Sequence, residues 1–300
     1  MQESRFKIIS DSCCDLPRED VERLGIDIVP LYVSFDGEKY ERDYFDFTYH
    51  DFYQRMIDEQ GTFPKTSLPG VEDYLRVWEP YVKEGVPVLS ISMTSMMSGS
   101  FNSARNAASI MAEKYPDTPV RAVDSLALTL YEGMLVREAC RFRDAGLELE
   151  AAAEKLESIR KDGRAYFTIG DLSYLSRGGR IGGLVKLAAV GLGIKPVILF
   201  SNGNISLCSM TRSRQKSLSE LARQAAMFFK NNGEDPGEYY LEVGYGLHKE
   251  DGEALRELFM EALRAAGLSA DPGLSQIGTM VGAHNGPYLM GIALQKRMKL

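Results

Sequence analysis

Short apolar runs followed by amphipathic stretches fill the first half of the chain. Lys7-Ile8-Ile9-Ser10, Val86 to Ser92 and Val120 to Asp124 are apolar enough to be strands covered on both faces. After the second run, Ala104, Ala107, Ala108, Met111 and Ala112 recur at helical spacing and predict one core-facing stripe. Leu126 to Ala145 and Leu149 to Ile159 continue helically, with Gly146 as the stop between them. Strands alternating with helices predict a mostly parallel sheet with helices on its faces.

From Ala165 the pattern changes. Pro196 to Phe200 and Ile205 to Ser209 flank Asn202-Gly203, a pair that favours a tight hairpin and hence antiparallel strands. An amphipathic helix with Leu218, Leu221, Ala222 and Ala225 follows, then a strand over Tyr239 to Val243. A helix carrying Leu255, Leu258, Phe259, Ala262 and Leu263 comes next. A last strand, Leu274 to Val281, is expected to lead through the turn at 282–287 into a final helix with Pro287 in its first turn. The expected fold is α/β with two domains. Residues 1–162 form an N-terminal domain with a mostly parallel sheet, and residues 163–300 an α/β domain with antiparallel strands. A length of 300 residues exceeds what one core usually organises.

Composition narrows the class. Hydrophobic residues at 44% and charged residues at 26% describe an ordinary globular chain and exclude a disordered or fibrous one. The stretch from Leu184 to Val190 is broken by Lys186, well short of a membrane span. Met1 to Lys7 has no apolar leader segment, so a cytoplasmic protein with no integral membrane insertion is expected. The net charge of -7, with no basic run, makes nucleic acid a poor partner. Cys13 and Cys14 are adjacent while Cys140 and Cys208 lie far away, which gives no metal-ligand spacing.

Ligands of open α/β sheets bind beyond the carboxyl ends of the strands, and hydroxyls gather there. One such loop holds Ser10, Asp11, Ser12 and Asp15, a second runs from Thr94 to Ser100, and a third begins with Asp124-Ser125. Taken singly, these are ordinary turn and capping residues. Ser98-Gly99-Ser100 is the sharpest candidate, because a glycine admits close approach and a helix start offers free amides. Thr66-Ser67 lies between Pro64 and Pro69, and His284 lies among Gly282, Gly286 and Pro287. The loop Ser176-Arg177-Gly178-Gly179-Arg180-Ile181-Gly182-Gly183 lacks dinucleotide and Walker spacing. Its arginines suit a phosphate, a partner protein or, by default, neighbouring acids. Arg212-Ser213-Arg214-Gln215-Lys216 places positive charge at a helix start, against the macrodipole.

An ordered set of short motifs goes further. Ser10-Asp11-Ser12, Asp15-Leu16-Pro17, Lys65-Thr66-Ser67, Ser98-Gly99, Asp124-Ser125, Gly179-Arg180-Ile181, Ile194-Lys195-Pro196, Arg212-Ser213-Arg214 and His284-Asn285-Gly286-Pro287 together resemble the DegV family of bacterial fatty-acid-binding proteins. The resemblance implies a long-chain fatty acid whose acyl chain is buried in the C-terminal domain and whose carboxylate is held near the domain interface. Thr66, Ser98 and His284 match the head-group positions, with Ser67 beside them, while Ser12, Gly99, Asp124 and Ser125 are secondary pocket candidates. It implies a carrier without catalysis and with no cofactor beyond the bound fatty acid. The carrier presents its ligand to a separate fatty acid kinase subunit, with Arg177 and Arg212 as docking candidates. Cys13, Tyr131 and Tyr288 depart from the family pattern, which bears on chain length and unsaturation. Two other readings compete. An acyl hydrolase would use Ser98, His284 and Asp124, although no G-x-S-x-G elbow surrounds Ser98. A domain related to dihydroxyacetone kinase subunits would hold a small polar ligand.

Overall fold

The computed structural model describes residues 5–59, 61–180 and 193–299. Its first part comprises β1 (Lys7–Asp11), α1 (Arg18–Leu24), β2 (Asp27–Val29), β3 (Tyr32–Ser34), β4 (Glu41–Arg42), α2 (Tyr49–Asp58), β5 (Lys65–Ser67), α3 (Val71–Lys83), β6 (Val88–Ser92), α4 (Ser100–Lys114), β7 (Val120–Asp124), α5 (Thr129–Asp144) and α6 (Leu149–Ile159). Strands β2, β1, β6 and β7 lie side by side in that order, all parallel. Every residue of β6 is buried, as a strand covered on both faces requires. Successive β1 residues serve opposite layers: Ile9 packs with Tyr74, Trp78, Ala104 and Met111 of α3 and α4, and Ile8 packs with Met134 and Leu135 of α5 and Leu156 of α6. Strands β4, β3 and β5 form a small antiparallel sheet beside it.

The second part comprises β8 (Arg164–Thr168), α7 (Leu172–Arg177), β9 (Lys195–Ser201), β10 (Asn204–Thr211), α8 (Arg214–Asn232), β11 (Tyr239–Tyr245), α9 (Lys249–Ala265), β12 (Gly273–Gln276), α10 (Thr279–Asn285) and β13 (Met290–Lys296). Its six strands run in the order β10, β9, β8, β13, β11, β12, antiparallel except for the β11–β12 pair. The hairpin turns at Asn202 and Gly203, both with positive φ (49° and 74°), the backbone that a two-residue turn matched to strand twist needs. One face packs Tyr166, Val197, Ile292 and Leu294 against Leu221 and Phe229 of α8 and Leu255 and Phe259 of α9. The other face, with Ala165, Ile198, Phe200 and Ala293, joins the same core as α5 and β1. Helix α5 is therefore enclosed by both sheets. Its Gly133 admits the chain at Cys14, whose carbonyl would lie 2.5 Å from any Cβ there.

Three expectations need correction near the C-terminus. The strand placed over Leu274 to Val281 ends at Gln276, and residues 279–285 are helical. His284 accordingly sits in the last turn of a helix. Pro287 opens no helix, because the final element is the strand β13. Met290, Ile292 and Leu294 alternate with Gly291, Ala293 and Gln295, a period of two hidden by residue types that helices also accept. The helix expected from Leu126 begins at Thr129; Leu126 and Thr129 both have φ of 53°, so the chain turns through left-handed backbone before the regular right-handed helix is established. The segment from Ile181 to Gly183, and the apolar stretch from Leu184 to Val190, lie outside the described residues. No helix among the described residues is long and apolar enough to cross a membrane.

Candidate functional site

Between α5, α10 and the inner face of the six-stranded sheet lies a cavity of about 240 Å³. Leu128, Leu130, Phe167, Phe200, Ile277 and Leu289 give it hydrocarbon walls, and Ala165, Gly291 and Ala293 contribute little side chain. Its polar lining comes from Thr66, Ser67, Ser98, Thr129, Arg180, His284 and Asn285. Ser67 and Arg180 are exposed and Thr66, Ser98 and His284 half-buried, so most of this polar side is the cavity's mouth.

Two of the mouth residues meet directly. Thr66 rides on β5, opposite Val33 of β3, and its Oγ1 lies 2.9 Å from His284 Nε2. Burial, with the Arg180 charge working the same way, pushes the His284 pKa from 6.5 down to about 4. The imidazole is therefore neutral at physiological pH. Its Nδ1 has no hydrogen-bond partner among the described residues. Gly178 stands against that nitrogen, where a Cβ would collide with the ring. The far end of α10 is held by the N-terminal part of the chain. Gly278 N–H donates to Asp15 Oδ2 at 2.7 Å, and the Tyr53 hydroxyl donates to the Ile277 carbonyl at 3.0 Å. Thr129 Oγ1 donates to the same Asp15 oxygen. Burial pushes the Asp15 carboxyl well above the usual carboxylate range.

The remaining candidates divide. Ser98 Oγ lies 2.8 Å from Ser100 Oγ and accepts from Ser100 N–H at 3.2 Å. Ser67 Oγ makes only a long contact of 3.5 Å to the Leu68 carbonyl. Gly99 precedes α4, with Leu68 3.2 Å from where its Cβ would stand. Ser12, Asp124 and Ser125 do not line the cavity. Ser12 Oγ accepts from Leu31 N–H at 3.0 Å, Asp124 from the Ser95 and Leu126 amides at 3.1 Å each, and Ser125 from Ala127 N–H at 3.1 Å. These are turn-holding bonds. Asp124 thus engages Ser95 rather than an imidazole, and Ser98 engages Ser100, so no Ser–His–Asp relay joins Ser98, His284 and Asp124. Arg177 is exposed and stacks 4.1 Å from the Phe63 ring centroid. Arg212 is exposed between β10 and α8. Arg180 was not singled out by sequence as a mouth residue. It donates to the Gly178 carbonyl at 3.0 Å, and the signal for it was Gly179-Arg180 beside a helix end. Among the described residues no ion pair forms at Arg177, Arg180 or Arg212, so the pairing with acids expected by default of Arg177 and Arg180 is not met. Nor do those residues include a cluster of three or more groups that could hold a metal.

A family model described as "Uncharacterised protein, DegV family" matches residues 5–297. A DegV domain-containing protein of Clostridium perfringens is 30% identical over 284 residues, 94% of each chain. Among solved structures, a stearic-acid-binding protein from Eubacterium ventriosum superposes with a TM-score of 0.91 at 38% identity, covering 97% of this chain and 98% of that one. A DegV family protein from Thermus thermophilus, described for its fatty acid binding, gives 0.83 at 30% identity, covering 97% and 99%. DegV from Bacillus subtilis, a fatty acid binding protein, gives 0.82 at 26% identity with the same coverage.

Proposed function

This chain belongs to the DegV family, and on that premise we propose that it holds one long-chain fatty acid, tail in the cavity and carboxylate at the polar mouth. The observation that carries the reading is a hydrocarbon-lined cavity whose mouth gathers Thr66, Ser67, Ser98, His284 and Arg180. Burying a methylene contributes about 0.8 kcal/mol, so a tail of about fifteen supplies ~12 kcal/mol before ordering costs. A carboxylate at the mouth is offset by charge-assisted hydrogen bonds of about 1.5 to 3 kcal/mol each. Arg180, which forms no ion pair among the described residues, adds a fixed positive charge. A small polar ligand would leave the hydrocarbon walls unused.

In this reading residues 1–162 and 163–300 act as two domains that share the ligand. The protein is a cytoplasmic carrier that needs no cofactor and presents the carboxylate to a separate fatty acid kinase. Arg177 and Arg212, exposed and without ion pairs among the described residues, support that role. Organic extraction of purified protein followed by mass spectrometry is expected to recover about one fatty acid per chain, and Ser98→Ala or His284→Ala to weaken binding by about 1 to 3 kcal/mol. Protein that carries no fatty acid and takes up none when offered would overturn the reading. For the kinase step, Arg177→Ala with Arg212→Ala is expected to slow acyl-phosphate formation in an assay with the host's kinase while leaving fatty-acid affinity intact. Unchanged turnover would remove these arginines from the docking surface.

A further inference from the structure

Gly291, Ile292 and Ala293 of β13 all line the cavity; Ile292 belongs to the core with α8 and α9, so on the opposite face the strand carries only a hydrogen and a methyl group at Gly291 and Ala293. Its neighbours are not alike. Gly291 pairs with Phe167 on β8 and with Gly244 on β11. Gly244 is covered: a Cβ there would lie 2.8 Å from Ile277 and 2.9 Å from Leu130. At Gly291 a Cβ would meet the Tyr166 carbonyl at 3.2 Å and Phe167 at 3.4 Å, both from the adjacent strand. Its three nearest atoms include none from α5 or α10. A trough therefore lies above β13, walled by Phe167 on one side and by Ile277 and Leu130 on the other. Beyond Ala293 the strand continues to Gln295, which does not line the cavity, is wholly buried and donates to the Ile159 carbonyl at 3.3 Å.

We infer that the acyl chain runs along β13 and that Gly291 and Ala293 determine how long a chain the protein accepts. The inference rests on the fatty-acid reading above and adds to it the path and the length filter. Strands rise about 3.3 Å per residue, so Gly291 to Gln295 spans about 13 Å, enough to hold a substantial stretch of tail. Side-chain volume added on this face displaces ligand methylenes, and the long chains that reach furthest lose most. The period of two supplies a control on the same strand, because Leu294 faces α8 and α9 and does not line the cavity.

The experiment measures affinities of lauric, myristic, palmitic and stearic acids for the parent, Gly291→Val, Ala293→Val and Leu294→Val, with a melting curve for each. Gly291→Ala replaces the valine variant if that one unfolds. The cavity-face variants are expected to lose about tenfold for stearic acid, the cost of about two displaced methylenes, while lauric acid changes less than about twofold. Leu294→Val should keep the parent's length profile. Equal losses at every chain length, or an unaltered profile in both cavity-face variants, would overturn the inference while leaving the fatty-acid reading intact. A parent that binds none of the four acids would overturn both.

Discussion

The interior at the end of β1 and the interior above β13 are both enclosed, yet one is crowded with carboxyls and the other is lined with hydrocarbon. Asp11, Asp15, Asp43 and Glu132 are 0 to 4% exposed. Asp11 accepts from the Met93 and Cys13 amides at 2.9 and 3.1 Å, and Ser10 Oγ lies 3.4 Å from Glu132. Loss of solvation pushes the Asp11 carboxyl up to about 7 and that of Asp43 up to about 6. Asp11 and Asp15 are held by backbone amides and the Thr129 hydroxyl, so their contribution is to the fold, while both Asp43 oxygens and Glu132 Oε2 have no hydrogen-bond partner among the described residues. The trough above β13 has apolar surface without polar demand, which is what the proposed fatty-acid tail requires. Hydroxyl-rich loops after strands are thus ambiguous: the hydroxyls of Ser12 after β1 and Ser125 after β7 hold turns, whereas Ser98 after β6 lines the cavity.

Substitutions should sort along that divide. Asp15→Ala leaves Thr129 Oγ1 and Gly278 N–H without an acceptor, so unfolding free energy should fall by about 2 to 4 kcal/mol in a urea titration. An unchanged midpoint would mean that the carboxyl cluster is not structural and would erase the comparison. On the other side, Thr66→Val removes the hydroxyl beside His284. Fatty-acid affinity should fall by about 1 to 2 kcal/mol with the melting temperature steady, and a fall in stability alone would move Thr66 to the structural group.

A pH series is a gentler probe. Asp11 and Asp43 are raised from 3.8 to about 7 and about 6, so the stability they contribute is full below pH 3.8 and lost as pH rises through those values. His284 runs the other way. Lowered from 6.5 to about 4, it contributes above pH 6.5 and loses that contribution as pH falls through 4. Between about pH 8 and about pH 6 the acids decide, and the melting temperature should rise by a few degrees on acidification. Asp11→Asn should flatten that rise, which a calorimetric scan at several pH values would show. The smallest effect is expected at Arg177, whose side chain is exposed at the end of α7: Arg177→Ala should change stability by less than about 0.5 kcal/mol, and a larger loss would give the Phe63 stacking a structural role.

Much of this arrangement was legible in the residues, and what was not has physical reasons. Strands β1, β6 and β7 announce themselves as short, mostly apolar runs, as strands covered on both faces tend to be. The hairpin is marked by Asn202-Gly203, which few other structures require. Strands β3, β4 and β5 are two to three residues long, shorter than any period can be read. Around α10, Ile277 and Val281 favour strands by type, yet residues 279–285 are helical. Thr66 and His284 touch across 218 positions, a meeting no local spacing encodes, and the family resemblance supplied it. Ser12, Asp124 and Ser125 share residue type with Ser98, but side-chain type does not reveal whether a backbone amide has already claimed the oxygen.

Helix α10 has seven residues, with the Asp15 and Tyr53 bonds at one end and His284 at the other. So short a lever has no slack in it, and a disturbance at the anchored end displaces the imidazole. In a genetic selection for fatty-acid uptake, lesions at Asp15 and Tyr53 should therefore score with those at Thr66 and His284, although neither side chain lines the cavity. Suppressors of such lesions should arise among the neighbours of Gly278 rather than around the ligand. A map of loss-of-function alleles would then be wider than the pocket and would trace the mount as well as the contact.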